Sequence, residues 1–357
     1  MIKKFLYLII FVFLLFTVNC LLLTFSYASE ISDPSQIGIG ARALGMGKAH
    51  VAIADDASSI FINPAGLSLS NNMKIISMSG NLISEVPYTM IGGSFALWGG
   101  SVGIGYIGSG LSGIQETTLV SGTPEMTGNS GNFSNSEITV SYSRELNLSY
   151  VSNAGATIKL LSQGFTGTAS FDAGKGSGID IDLGTITKIS DDMNIGVSLK
   201  NIIPGNNMGK DEIPMTTTVG ISRLFKQFNL LTAIDAELSR GLLFHAGAEW
   251  SPIRFLKVRA GLDQMASAGS SATNLSAGLG IVVRGFTFDY AYHGYSDLSE
   301  FTTHYFSIGY EFLNAKDRVN EKVEEKIEKK IEEKKSVETK IGKPVDVKNV
   351  KGKTKKK

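Results

Sequence analysis

Two adjacent carboxylates, Asp55 and Asp56, and the glycine-rich run ahead of them are the first places in this 357-residue chain where catalysis could be sought. A close carboxylate pair can divide acid and base roles between its members. Followed by Ala57, Ser58 and Ser59, this pair reads instead as the start or cap of a short helix, where oxygens and negative charge meet free backbone N–H groups. Gly38-Ile39-Gly40-Ala41-Arg42-Ala43 fits a loose G-x-G-x-x-A phosphate turn. A dinucleotide site needs a buried strand before the glycines, and Ser32, Asp33, Pro34, Ser35 and Gln36 are turn formers. There is no His-Glu-x-x-His, no cysteine pair and no Gly-x-Ser-x-Gly, so hydrolase and metal readings have no motif behind them. The expectation is a non-enzyme with no cofactor, no metal and no nucleic-acid partner.

The remaining ionisable residues sit in segments that alternate. Phe286-Thr287-Phe288-Asp289-Tyr290-Ala291-Tyr292-His293 puts four aromatics on one face. Leu256, Val258, Ala260 and Leu262 oppose Lys257, Arg259 and Asp263, and Phe244, Ala246, Ala248 and Trp250 oppose His245, Gly247 and Glu249. Strands with one greasy and one wet face are those of a transmembrane barrel, whose polar face looks into the lumen. The pattern predicts about fourteen strands, near residues 73–82, 86–97, 100–109, 136–144, 150–162, 178–189, 192–203, 215–224, 227–238, 242–251, 254–264, 273–283, 286–295 and 304–312. Gly99-Gly100, Ser190-Asp191, Phe225-Lys226, Pro252-Ile253 and Arg284-Gly285 read as tight connections, and 110–135, 163–177, 203–214, 265–272 and 296–303 as long loops. Since outer-membrane barrels turn tightly on the periplasmic side, both termini are expected there, with Trp98 and Trp250 in the periplasmic aromatic girdle. The last strand ends in Tyr310-Glu311-Phe312, which looks like the terminal insertion signal read by the barrel assembly machinery.

With these registers Asp235, Glu237, His245, Glu249, Lys257, Arg259, Asp263, Asp289 and His293 face the lumen, together with Asp180, Asp182, Lys200 and Glu311. Mixed signs on neighbouring strands read first as ion pairs holding the wall together, and second as a solute-selective lining.

The ends are different objects. Lys3 and Lys4, the apolar run Phe5 to Phe25 and Ser26-Tyr27-Ala28 make residues 1–28 a signal peptide. Asn19 before Cys20 does not suit a lipobox, and cleavage after Ala28 removes the only cysteine, so no disulfide or thiolate site is expected in the mature chain. From Ala315 to Lys357 sixteen Lys/Arg face nine Asp/Glu, a basic tail on an acidic body. Val319, Val323, Ile327 and Ile331 share a helix face there, and beyond Gly342 and Pro344 the lysine-rich end reads as disordered.

Gly40-Ala41-Arg42-Ala43-Leu44-Gly45-Met46-Gly47, Ala54-Asp55-Asp56-Ala57 and Asn63-Pro64-Ala65-Gly66-Leu67 together resemble the N-terminal signature of the PorV/PorQ-like proteins of the FadL-like outer-membrane superfamily. The resemblance implies an all-β transmembrane antiparallel barrel over 72–314 with an N-terminal hatch over 29–71, in which Arg42, Gly45, Gly47, Asp55, Asp56, Asn63 and Pro64 carry the motif. It implies an accessory role in type IX-like secretion or envelope assembly, with secreted cargo or a translocon as partner. The alternative is a FadL-like transporter for hydrophobic small molecules. A bacterial outer-membrane location surrounds the chain with outer-membrane lipid. It also offers the basic tail, over 315–357, peptidoglycan or an acidic periplasmic protein.

Overall fold

In the computed structural model, residues 33–82, 86–146, 148, 151–167, 175–208, 211–239, 241–267, 270–296 and 302–313 are described. The expected signal peptide, residues 29–32 and the tail over 315–357 lie outside them. Among the described residues sixteen strands form, of which fourteen close into one antiparallel barrel. In chain order they are β1 (Met73–Leu82), β2 (Val86–Leu97), β3 (Gly100–Val120), β4 (Thr123–Glu145), β5 (Asn153–Thr166), β6 (Gly176–Ser190), β7 (Met193–Lys200), β8 (Asn207–Met208), β9 (Asp211–Glu212), β10 (Thr216–Phe225), β11 (Leu230–Leu238), β12 (Leu242–Ile253), β13 (Leu256–Ser267), β14 (Ser270–Val283), β15 (Phe286–Gly294) and β16 (Thr302–Phe312). Closure runs through β1 and β16, from Met73 opposite Phe312 to Gly80 opposite Tyr305. The barrel therefore leaves no free sheet edge, which for a wall with an apolar outer face is the condition for standing in lipid.

Alternation sets the two faces. β1 exposes Ile75 and buries Ile76 and Met78, while β15 and β16 turn Phe286, Phe288, Phe306, Ile308 and Phe312 outward. Among the described residues no helix is long and apolar enough to cross a membrane. One end of the barrel turns tightly. At Trp98-Gly99 and Arg284-Gly285 both turn residues have positive φ, the geometry of two-residue hairpins whose twist matches the flanking strands.

At the opposite end the structure corrects the sequence reading. Residues 110–135, expected as a loop, are a continuation of β3 and β4 as a two-stranded ribbon, bulged between Leu111 and Ile114 and between Gln115 and Thr117. It turns at Ser121-Gly122, again with positive φ at both residues. Segment 203–214 likewise carries its own small sheet, β8 paired with β9, and Met208 and Ile213 pack on Leu161 of the wall.

Residues 33–71 fill the barrel. Their elements are a 3₁₀ turn (Pro34–Gln36), helix α1 (Ala41–Gly45), helix α2 (Ser59–Ile62) and a second 3₁₀ helix (Pro64–Leu69). From Ile37 to Leu67 nearly every apolar side chain is buried against the wall. We refer to this segment as the hatch.

Candidate functional site: the filled lumen

Backbone touches backbone where hatch and wall meet. Gly47 lies so close to β13 that a β-carbon there would sit 2.4 Å from the carbonyl oxygen of Leu262, and its φ of +61° suits glycine besides. Gly261 on β13 answers it, since a β-carbon at that position would come within 2.1 Å of the Gly47 nitrogen. Gly45 on α1 meets Gly278 on β14 in the same way. Asn63 explains its place before Pro64. Its Oδ1 accepts the Ala65 N–H, opening the second 3₁₀ helix, while its Nδ2 donates to the carbonyls of Val51 (2.9 Å) and of Thr185 on β6 (3.2 Å).

A line of alternating charges ties the hatch to β12, β13 and β15. Arg42 donates from Nη1 to Asp55 (2.5 Å) and from Nε to Glu249 (2.9 Å); Arg259 donates to Glu249 (2.8 Å) and to Asp289 (2.7 Å). Burial works against the Arg42 cation, yet Asp55 and Glu249 together carry it well above its ordinary pKa, so it stays charged. Asp56 Oδ1 accepts the Ser58 N–H and hydroxyl, an Asx turn that leads into α2.

Two further anchors fix the middle and the start of the hatch. Asp235 Oδ2 accepts the backbone N–H groups of His50 (2.8 Å) and Val51 (2.9 Å). Asp33, wholly buried, receives Lys159 Nζ (3.0 Å) and Asn201 Nδ2 (3.0 Å), and Lys159 also meets Asp182 (3.1 Å). Burial would raise the Asp33 carboxyl, but Lys159 and Lys200 hold it well below the usual carboxylate range.

The other expected lumen residues are placed as follows. Asp263 accepts from His293 (2.7 Å) and lies 3.9 Å from Lys48; His245 is buried 3.8 Å from the half-buried Glu237; Lys257 donates to Ser251 (2.7 Å). Glu311 accepts from Ser70 and Asn72, at the start of β1. Asp180 anchors the β8–β9 segment through Ile203 N–H and Asn206 Nδ2. Tyr310 and Phe312 form an outward ring cluster with Phe286 at the tight-turn end, where Trp98 and Trp250 are also exposed.

Sequence reasoning missed the part of the lumen that is not polar. Ile76 and Met78 of β1, Tyr88 and Met90 of β2, Ile107 of β3, Ala291 of β15 and Tyr305 of β16 form one buried apolar cluster with Ile37, Ile39 and Leu44 of the hatch. Tyr88 brings a bonded polar atom into its middle, donating to the carbonyls of Pro34 (3.2 Å) and Gly38 (3.0 Å), and the Tyr305 hydroxyl meets that of Tyr295 (3.3 Å). Alternation could not find this sector, because Ile75-Ile76 and Met90-Ile91 place apolar residues on both faces at once.

No family model and no curated protein matches the chain. Among solved structures it is similar to the CymD monoaromatic hydrocarbon channel, at 15% identity over 78% of this chain and 98% of that one, with a TM-score of 0.58. It is similar to the Ralstonia pickettii toluene transporter TbuX, at 13% identity over 77% and 99%, TM-score 0.58. The Pseudomonas putida toluene transporter TodX matches at 13% identity over 77% and 98%, TM-score 0.57. At these identities the likeness is one of fold, and none of the three comparisons points to the PorV/PorQ-like group that the N-terminal signature resembles.

Proposed function

We propose that this chain is a non-enzymatic outer-membrane channel for small hydrophobic molecules. The observation that carries the reading is the apolar sector between the hatch and β1, β2, β3, β15 and β16, a greasy strip in an otherwise charged lumen. Charged side chains elsewhere in the lumen are engaged in pairs, some within the wall and some between wall and hatch, so they present few free charges to a passing ion. A molecule without charges loses nothing by leaving water for the strip, whereas an ion would lose its hydration shell there. The neighbours described as hydrocarbon channels and toluene transporters favour the same alternative. The secretion role implied by the N-terminal signature draws no support from the geometry.

In this reading the outward Ile, Leu and Phe face lipid and the tight turns face the periplasm. The lysine-rich segment after Asn314 then enters the periplasm, where its charge suits an anionic partner such as peptidoglycan. The test is uptake of radiolabelled toluene by cells lacking their own hydrocarbon channels. Expression of this chain is expected to raise uptake several-fold, and Ile107→Asp, which sets an unpartnered carboxylate in the strip, to abolish the gain while the barrel still assembles. Uptake equal to that of vector-only cells, from a correctly inserted barrel, would sink the reading.

A further inference from the structure

His50 has no role in the apolar strip, and its surroundings are unusual. The side chain is wholly buried, and neither ring nitrogen has a hydrogen-bond partner among the described residues. A ring nitrogen of His50 and a carboxylate oxygen from each of Asp55 and Asp56 lie within 4.8 Å of one another. Asp56 spends Oδ1 on Ser58 and Asp55 spends Oδ1 on Arg42, and among the described residues the second oxygen of each carries no hydrogen bond. Buried polar groups in folded chains nearly always find a partner, and one that does not points to a missing ligand.

We propose that His50, Asp55 and Asp56 bind one mid-row divalent cation, of the zinc or manganese type. One imidazole nitrogen and two carboxylate oxygens are a donor set that suits these ions, and the absence of thiolate disfavours the softer ones. Burial and the neighbouring Arg42 push the His50 pKa below its ordinary range, leaving the ring neutral with a lone pair to give. Ligand atoms on a tetrahedral zinc stand about 3.4 Å apart. Asp55, whose side chain is 48% exposed, is the member free to swing inward and close the gap.

The remaining parts of the site are already fixed. Asp235 of the wall holds the His50 backbone N–H, Lys74 Nζ lies 2.5 Å from the Asp55 carbonyl oxygen, and Ser58 holds Asp56. Arg42 is the competitor, since its Nη1 contacts Asp55 and lies 3.9 Å from Asp56. It has somewhere to go. Glu249 already receives its Nε and, at 3.3 Å, its Nη2, so a cation can take the aspartates without stranding the guanidinium. The exposed side of Asp55 leaves room for water to complete the coordination. The site stands whether or not the barrel carries hydrocarbons.

The experiment is calorimetric titration of Zn²⁺ into chelator-stripped, full-length protein in detergent, purified through a handle without histidine. One ion per chain is expected, bound at least about tenfold more weakly by His50→Gln and by Asp55→Asn, with the SDS mobility shift of a closed barrel retained. His304→Gln, which removes a histidine on the outer face, is expected to leave the affinity unchanged. In protein loaded with Co²⁺, His50→Gln should also remove the visible absorption of an imidazole-bound ion. A folded barrel that takes up no Zn²⁺, or that binds it with full affinity after His50→Gln, overturns the site. Should His50→Gln fail to fold, Asp55→Asn decides alone, because an exposed carboxylate is dispensable for folding: retained affinity rejects the proposal and lost affinity upholds it.

Discussion

Arg42 and Arg259 look alike in sequence and differ in what they leave behind when removed. The side chains of Arg259, Glu249 and Asp289 are 1%, 6% and 5% exposed, so deleting the Arg259 cation strands Asp289 where water cannot reach it and leaves Glu249 with Arg42 alone. Breaking such a buried group costs about 3–5 kcal/mol, and Arg259→Met is expected to cost that much in guanidinium unfolding of the detergent-solubilised barrel. Arg42→Met leaves Glu249 still held by Arg259 and lets the half-exposed Asp55 take water instead. Its cost is expected nearer to about 1 kcal/mol, the range of partly solvated pairs. Equal losses in the two variants would show that the line of charges acts as one unit and not as a wall pair with a hatch latch attached. None of this partnering was legible in the chain. Alternation names Glu249, Arg259 and Asp289 as lumen residues, but Arg42 is separated from Glu249 by 207 positions, and no local pattern joins them.

At the scale of elements, hatch and wall fit because the wall withholds side chains where the hatch backbone passes. Gly261→Ala would drive a β-carbon into the Gly47 nitrogen, and neither backbone can yield without moving α1 or β13. Overpacking of this kind costs about 1–3 kcal/mol. The expected outcome is a barrel that still closes, judged by its SDS mobility, around a hatch newly open to protease. Gly241→Ala, in the β11–β12 turn with nothing within 4 Å, is expected to change neither readout. Protease resistance unchanged in Gly261→Ala would mean that the contact is loose. The strands themselves were readable, since β13, β15 and β16 carry Leu256, Val258 and Leu262, Phe286 and Phe288, and Phe306, Ile308 and Phe312 on alternate positions, as lipid on the outer side demands. The β3–β4 ribbon was not. Leu111, Ile114, Leu119 and Met126 are scattered among its Gly, Ser and Thr residues without a sustained alternation, and both faces of the ribbon are largely exposed.

The described residues form a closed wall around a lumen filled from Asp33 to Leu67, so any route through it requires part of the hatch to move. Ser68 of the second 3₁₀ helix and Ser143 of β4 offer a direct test. Their hydroxyl oxygens lie 2.7 Å apart, so two cysteines there would bring their sulfurs close to the S–S length of about 2.05 Å. The only native cysteine, Cys20, lies in the expected signal peptide, so no other thiol competes in the mature chain. In the double variant Ser68→Cys/Ser143→Cys, oxidation is expected to fasten the second 3₁₀ helix to β4 and to stop hydrocarbon uptake, and a reductant to restore it. Each single variant should carry hydrocarbon under both conditions, which separates the lock from any damage done by the substitutions. Undiminished uptake by the oxidised double variant, with the crosslink verified by mass spectrometry, would leave two possibilities: a path along the apolar strip past a stationary second 3₁₀ helix, or no passage through the lumen at all. The strip substitution Ile107→Asp distinguishes them, since it interrupts only the first.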